Sequence, residues 1–161
     1  MTGIDAFITS VVTARNSGTS FSELELNDMT ADAYNQVRAD KVFDMVLCTV
    51  KIKQAIAGFG GNSTRYIDAA EKRLTKDILV YDSSVGSHRI LHHRDVRNTA
   101  GSVTVYGLRE DLHKVAYLDQ PMFEELGKTG DADKGMWVTE FTLEVHQEAA
   151  DLKRTGYAQE G

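Results

Sequence analysis

Cysteine is nearly absent from this sequence: Cys48 stands alone, so no internal disulfide can form. Its place in the apolar run VFDMVLC predicts an inert, buried thiol in a chain made in a reducing compartment. Long apolar runs are missing too. None approaches the roughly 18 residues that span a bilayer, and the opening MTGIDAFITS lacks the charged-then-apolar pattern of a secretory leader. The expectation is a soluble chain with no membrane contact. Positive charge is scarce: 18 lysines and arginines against 24 acids leave a net charge of −6, which excludes a domain whose whole surface grips nucleic acid through released counterions. Only His88 to Arg97 (HRILHHRDVR) is locally basic, and it reads as a solvated or subunit-facing strand.

Complete catalytic patterns are missing as well. Gly127-Lys128-Thr129 ends like a phosphate-binding loop, but the glycine such a loop needs five residues earlier is Met122, and a strand pattern follows where a helix is required. Asp131, Asp133 and Gly135 begin like a calcium loop, yet the glycine comes one position early and Thr142 stands where the bidentate glutamate belongs. On one strand His92 and His93 point to opposite faces, so His88 and His92 leave only two ligands for zinc. There is no Gly-x-Ser-x-Gly elbow, and Gly58, Gly60 and Gly61 follow a helix instead of opening one as a dinucleotide turn would. The expectation is no catalytic residue, no cofactor and no metal. A small α/β nucleotide-binding enzyme using Lys128 and Asp131 is an alternative with an incomplete motif.

What is present is the patterning of a single domain over residues 1–161, with apolar and charged fractions near globular averages. Ile4 to Val12 alternates weakly and predicts a strand, with a polar loop from Arg15 to Ser20. Ser22 and Glu25 form a capping-box signature, after which Leu26, Met29, Ala33, Tyr34 and Val37 mark one face of a helix to about Ala39. Val42 to Cys48 reads as a strand buried on both faces, and Thr49 as the cap of a second helix ending at Phe59. Beyond Asp77, strands are predicted at Ile78 and Val80, at Arg89 to Asp95 and at Ser102 to Tyr106, consecutive and antiparallel. A turn at Arg109 to His113 leads to Val115 to Leu118, and the single proline, Pro121, marks the exit. After a polar stretch from Leu126 to Gly135, the alternation of Met136 to Val145 predicts a long strand with a phase slip, and a bulge, near Glu140. Residues 151–161 read as a loose tail.

Two stretches, Asn62 to Tyr81 (NSTRYIDAAEKRLTKDILVY) and Tyr117 to Ala150 (YLDQPMFEELGKTGDADKGMWVTEFTLEVHQEAA), resemble phage major head proteins with the Hong Kong 97 capsid fold. Counting the helix, buried strand and helix before them, the resemblance covers nearly the whole chain. It implies an α+β architecture: a helix-flanked mixed sheet like the family's axial domain over residues 20–118, then a connecting segment and a long peripheral-domain strand within 119–150. Before this region the family carries an amino-terminal arm, an extended loop and a long spine helix, so the chain corresponds to a carboxyl-terminal half. A split subunit, a processed or engineered fragment and a shortened relative all fit. Where the family shows a glycine-rich turn with proline before the buried strand, this chain has Arg38-Ala39-Asp40-Lys41-Val42.

The function implied is structural: a major capsid subunit, or half of one, self-assembling around DNA without reading it. The alternative is an accessory head or neck protein that binds the shell. Implied partners are copies of the chain, or a chain supplying the spine helix and extended loop. Packaged DNA would be touched only weakly and non-specifically. The implied location is the virion head after synthesis in the host cytoplasm. Candidate interface residues are Trp137, Phe141 and Leu143 on the long strand, with Arg89, His92 and Arg94 from the basic stretch.

Overall fold

The computed structural model describes residues 3–10, 12–36, 42–59, 80–96, 98–99 and 102–158. Val37 and the expected helix end at Ala39, Gly60, Gly61, Ile78 and all but the last two residues of the Asn62 to Tyr81 stretch lie outside them. In chain order the elements are α1 (Ile4–Phe7), β1 (Val12–Thr19), α2 (Glu23–Gln36), β2 (Met45–Cys48), α3 (Val50–Gly58), β3 (Val80–Asp82), β4 (Ser87–His92), β5 (Asn98–Thr99), β6 (Ser102–Leu108), β7 (His113–Thr129), β8 (Ala132–Val145) and β9 (Leu152–Tyr157). One mixed sheet runs in the order β1-β9-β6-β2-β4-β3, with β5 also pairing β6. The pairs β1/β9 and β2/β4 are parallel, and the other pairs in it are antiparallel. A second sheet consists of β7 and β8 alone.

Helices α2 and α3 pack on one face of the large sheet because their apolar residues recur at helical spacing. Leu26, Met29 and Ala33 of α2 and Ile52 and Ile56 of α3 meet Val46, Cys48, Ile90, Val103, Val105, Leu152 and Tyr157. The Thr49 hydroxyl accepts from the Ile52 amide at 3.5 Å, so the cap read from the sequence is made. On the other face Ile8 covers Tyr106, Leu108 and Val96. Glu148 anchors this amino-terminal segment by accepting from the amides and hydroxyls of Thr9 and Ser10.

Several expectations are corrected. The opening segment is a short helix, not a strand, and the expected polar loop from Arg15 is β1. An edge strand tolerates polar side chains because its ladder is made by backbone groups. The loose tail holds the interior strand β9: Leu152, Arg154 and Tyr157 are buried, and the strand pairs with β1 on one side and β6 on the other. Gly156 (φ +97°) lets β1 close on it, since a Cβ there would stand 2.3 Å from the Arg15 carbonyl oxygen. The Ser22 half of the capping box forms, with its hydroxyl 3.4 Å from the Glu25 amide, but the Glu25 carboxylate turns to the sheet. It accepts from Arg15 Nε at 2.9 Å, Arg154 Nη1 at 3.0 Å and the Tyr157 hydroxyl at 3.0 Å, and Asp32 takes the other Arg154 nitrogen. Strands β4 and β6 are not neighbours: β2 lies between them. The sheet thus recruits β1 and β9 from outside residues 20–118, and a boundary at 118 falls inside β7.

Candidate assembly surface

The long strand of the sequence reading is one arm of a hairpin. Strand β7 runs through Val115 to Leu118, past Pro121 and across the polar stretch to Thr129, where Gly130 (φ +76°) and Asp131 turn the chain into β8. Pro121 marks no exit: it lies among three extra residues that β7 accommodates between Tyr117 and Thr129, where the register shifts against β8. The phase slip at Glu140 is not a bulge in β8, whose alternation is unbroken; the extra residues are on the strand opposite. Gly127-Lys128-Thr129 is strand, and Lys128 pairs with Asp133 across the turn at 2.7 Å, so neither the phosphate loop nor the calcium loop is built.

Opposed residues of an antiparallel pair share a face, so the register sorts the hairpin into two sides. One carries Val115 opposite Leu143, Tyr117 opposite Phe141 and Phe123 opposite Trp137. The last two pairs are in ring contact, at centroid distances of 5.9 and 5.6 Å. The other side carries Lys114 opposite Glu144, Asp119 opposite Glu140, Glu124 opposite Met136 and Leu126 opposite Lys134. The hairpin is therefore amphipathic, with an aromatic stripe on one side and charges mixed with Met122, Met136 and Val138 on the other.

Among the described residues the stripe is about half exposed or more, with Leu143 the most covered of it. Trp137 is 74% exposed, Phe141 44%, and Leu118, in the bulged region, 82%. A cavity of about 400 Å³ opens beside them, lined by Ala116, Tyr117, Leu118, Glu140, Phe141 and Thr142. Trp137, Phe141 and Leu143 are thus brought onto one face. Arg89 lies at the hairpin's root, where it pairs with Glu110 and stands 4.0 Å from Asp44. His92 ends β4 and Arg94 follows it, exposed beside Asp95, so the basic residues form no single patch with the stripe. The sequence reading missed Val115, Tyr117 and Phe123 as members of the face. The available signal was the Gly130-Asp131 pair, a two-residue hairpin loop just ahead of the alternating segment Met136 to Val145.

A mixed sheet domain with a long, largely exposed amphipathic hairpin presents the kind of apolar surface by which proteins meet partners. Residues 1–158 match the SU10 major capsid protein family, and the chain belongs to that family of phage capsid proteins. No curated protein matches. Among solved structures, the virus-like particle from Pyrococcus furiosus is similar, with a TM-score of 0.49 and 13% identity. That match covers 94% of this chain and 58% of the other, so the chain spans little more than half the length of that subunit.

Proposed function

We propose that the chain forms the sheet domain and projecting hairpin of a major capsid subunit with the Hong Kong 97 fold, and that it assembles into the head shell. The observation that carries this reading is the largely exposed aromatic stripe of β7 and β8 in a chain that belongs to a major capsid family. A two-stranded ribbon is marginal alone in water, so a stripe of this size needs a covering element. Covering the exposed remainder of Phe141 and Leu143 would contribute part of the about 1.5–3 kcal/mol that burying each such side chain from full exposure is worth. The spine helix that the family resemblance implies, from another chain or another segment, is the covering element we assign, with Trp137, Phe141 and Leu143 beneath it. Arg89, His92 and Arg94 then belong to contacts between copies. Contacts that close rings are heterologous, which lets Arg89 and Arg94 on one copy meet different surfaces on the next. Packaged DNA is held non-specifically, and the net charge of −6 limits its adhesion to the wall. The subunit is made in the host cytoplasm and resides in the virion head.

The test is oligomeric state. Wild-type protein should associate on sizing chromatography and give assemblies in negative stain, alone or with the product of the adjacent upstream gene. Phe141→Ser combined with Leu143→Ser should shift it to monomer while the sheet domain melts as before. A strictly monomeric wild type, with slow amide exchange throughout Met136 to Val145, would sink the reading.

A further inference from the structure

We propose that His113 and Asp151 form a proton-operated latch at the root of the hairpin: one proton held between them fixes the arm to the sheet domain, and its loss lets the arm swing. His113 is the first residue of β7, and Asp151 immediately precedes β9, an interior strand of the large sheet. Their facing atoms, Nε2 and Oδ2, are 3.0 Å apart. Both are buried, and neither has an aligned hydrogen bond to any described group. The other atom of each side chain is committed to the same residue: His113 Nδ1 lies 2.8 Å from the Arg109 carbonyl oxygen, and Asp151 Oδ1 accepts from the Arg109 amide at 3.0 Å.

The carbonyl settles the tautomer. It can only accept, so Nδ1 carries hydrogen, and a neutral His113 therefore presents a lone pair at Nε2. Set against a carboxylate oxygen, that lone pair is repelled. The contact is attractive only with one more proton, held as imidazolium and carboxylate or as imidazole and carboxylic acid. Burial favours keeping it, since desolvation raises the Asp151 carboxyl above its ordinary range, against the Arg109 amide and His113, which lower it.

The surrounding charges are already engaged. Glu148, on the turn before Asp151, is held by Thr9 and Ser10 and repels an Asp151 carboxylate. The Arg109 guanidinium pairs with Asp111, and Lys153 pairs with Asp5. Glu144 and His146 of the opposite strand lie 3.4 Å apart. On α2, which packs on the 148–150 turn, Glu25 and Asp32 are taken by Arg154. Besides the latch, the His146 amide bonded to the Leu112 carbonyl at 3.1 Å ties the two strands at the root. That bond joins the strands to each other and not to the sheet.

This deepens the reading of the hairpin as an assembly arm and adds a control to it. The test reads the root itself, so failure of the latch and failure of assembly are distinguishable. In the full chain, amide protection at His113 to Ala116 and Leu143 to His146 is followed from pH 5.5 to 8.5, corrected for intrinsic exchange. The nitrogen-15 shifts of the His113 ring are recorded over the same range. Protection should fall about tenfold as pH rises, in step with loss of the proton shared between His113 and Asp151. Asp151→Asn keeps the acceptor for the Arg109 amide and should flatten the profile. Should that variant not fold, His113→Gln is read in its place and should be equally flat. Root protection that does not change between pH 5.5 and 8.5, or a variant profile as steep as wild type, would overturn the proposal.

Discussion

Arg154 shows what a buried charge demands. Its side chain is 0% exposed, between β9 and α2, and two carboxylates, from Glu25 and Asp32, neutralise it there. Removing the guanidinium leaves Glu25 only Arg15 and the Tyr157 hydroxyl, and leaves a void. Arg154→Ala should destabilise the chain by about 3–5 kcal/mol, the usual cost of removing one member of a buried pair, read as the midpoint of urea unfolding. Loss of less than about 1 kcal/mol would mean that water already reaches the site. His88 makes the complementary case, a buried base kept neutral. Its Nδ1 is 2.8 Å from the Phe43 carbonyl and its Nε2 2.8 Å from the Ser83 hydroxyl, and burial lowers its pKa below the ordinary 6.5. Below about pH 6.5 the unfolded chain takes up a proton that the folded chain refuses. The contribution of His88 is therefore whole above that pH and declines as pH falls toward the folded value. In thermal melts between pH 7 and 5, His88→Gln should lose this part of the decline. Neither role was legible in the sequence, where Arg154 sat in a stretch read as tail and His88 in a basic run. Hydropathy scores a residue's type and not the partners that a distant helix brings to it.

At the scale of elements, legibility followed how local the cause was. Thr49 as a cap and the apolar face of Leu26, Met29 and Ala33 were readable because both are fixed within a turn or two of helix. The strand β8 was readable from its alternation. Its partner was not, because Pro121 and three extra residues break the period of β7. Near the hairpin tip, Phe123 lies over Gly135, where a Cβ would come within 2.1 Å of the ring. An aromatic laid across a strand glycine fills the gap that the missing side chain leaves. Gly135→Ala must displace the ring and break its edge contact with Trp137, a loss of about 0.5–1.5 kcal/mol. Trp137 is the only tryptophan, so selectively excited tryptophan fluorescence reads this ring alone, and near-ultraviolet dichroism reads it together with the tyrosines and phenylalanines. Both spectra should change in the variant while far-ultraviolet dichroism does not. Unchanged tryptophan spectra would show that the ring does not rest on the glycine.

At the scale of the molecule, the chain separates into a sheet that needs both of its ends and an arm that the sheet does not need. Strand β9 joins β1 to β6, and its Leu152 and Tyr157 lie in the main core against residues of both helices. Burial of those two side chains contributes about 3–6 kcal/mol, before the ladders to β1 and β6 are counted. Whole domains have about 5–15 kcal/mol to lose. Removing residues 152–161 should therefore abolish cooperative unfolding, where a loose tail would leave the melt unmoved. The hairpin is predicted to behave in the opposite way. Its strands pack chiefly on each other, and the residues from Tyr117 to Phe141 contribute none of the buried apolar core. Because Ala116 and Thr142 are paired across the hairpin, replacing 117–141 with Asn-Gly should close it in a short turn without strain. That variant should unfold in calorimetry with a transition within a few degrees of wild type, and it should not assemble. An excised chain that no longer folds would show that the arm supports the sheet domain. Intact assembly from it would show that the shell contacts lie elsewhere, on the faces that carry Arg89, His92 and Arg94.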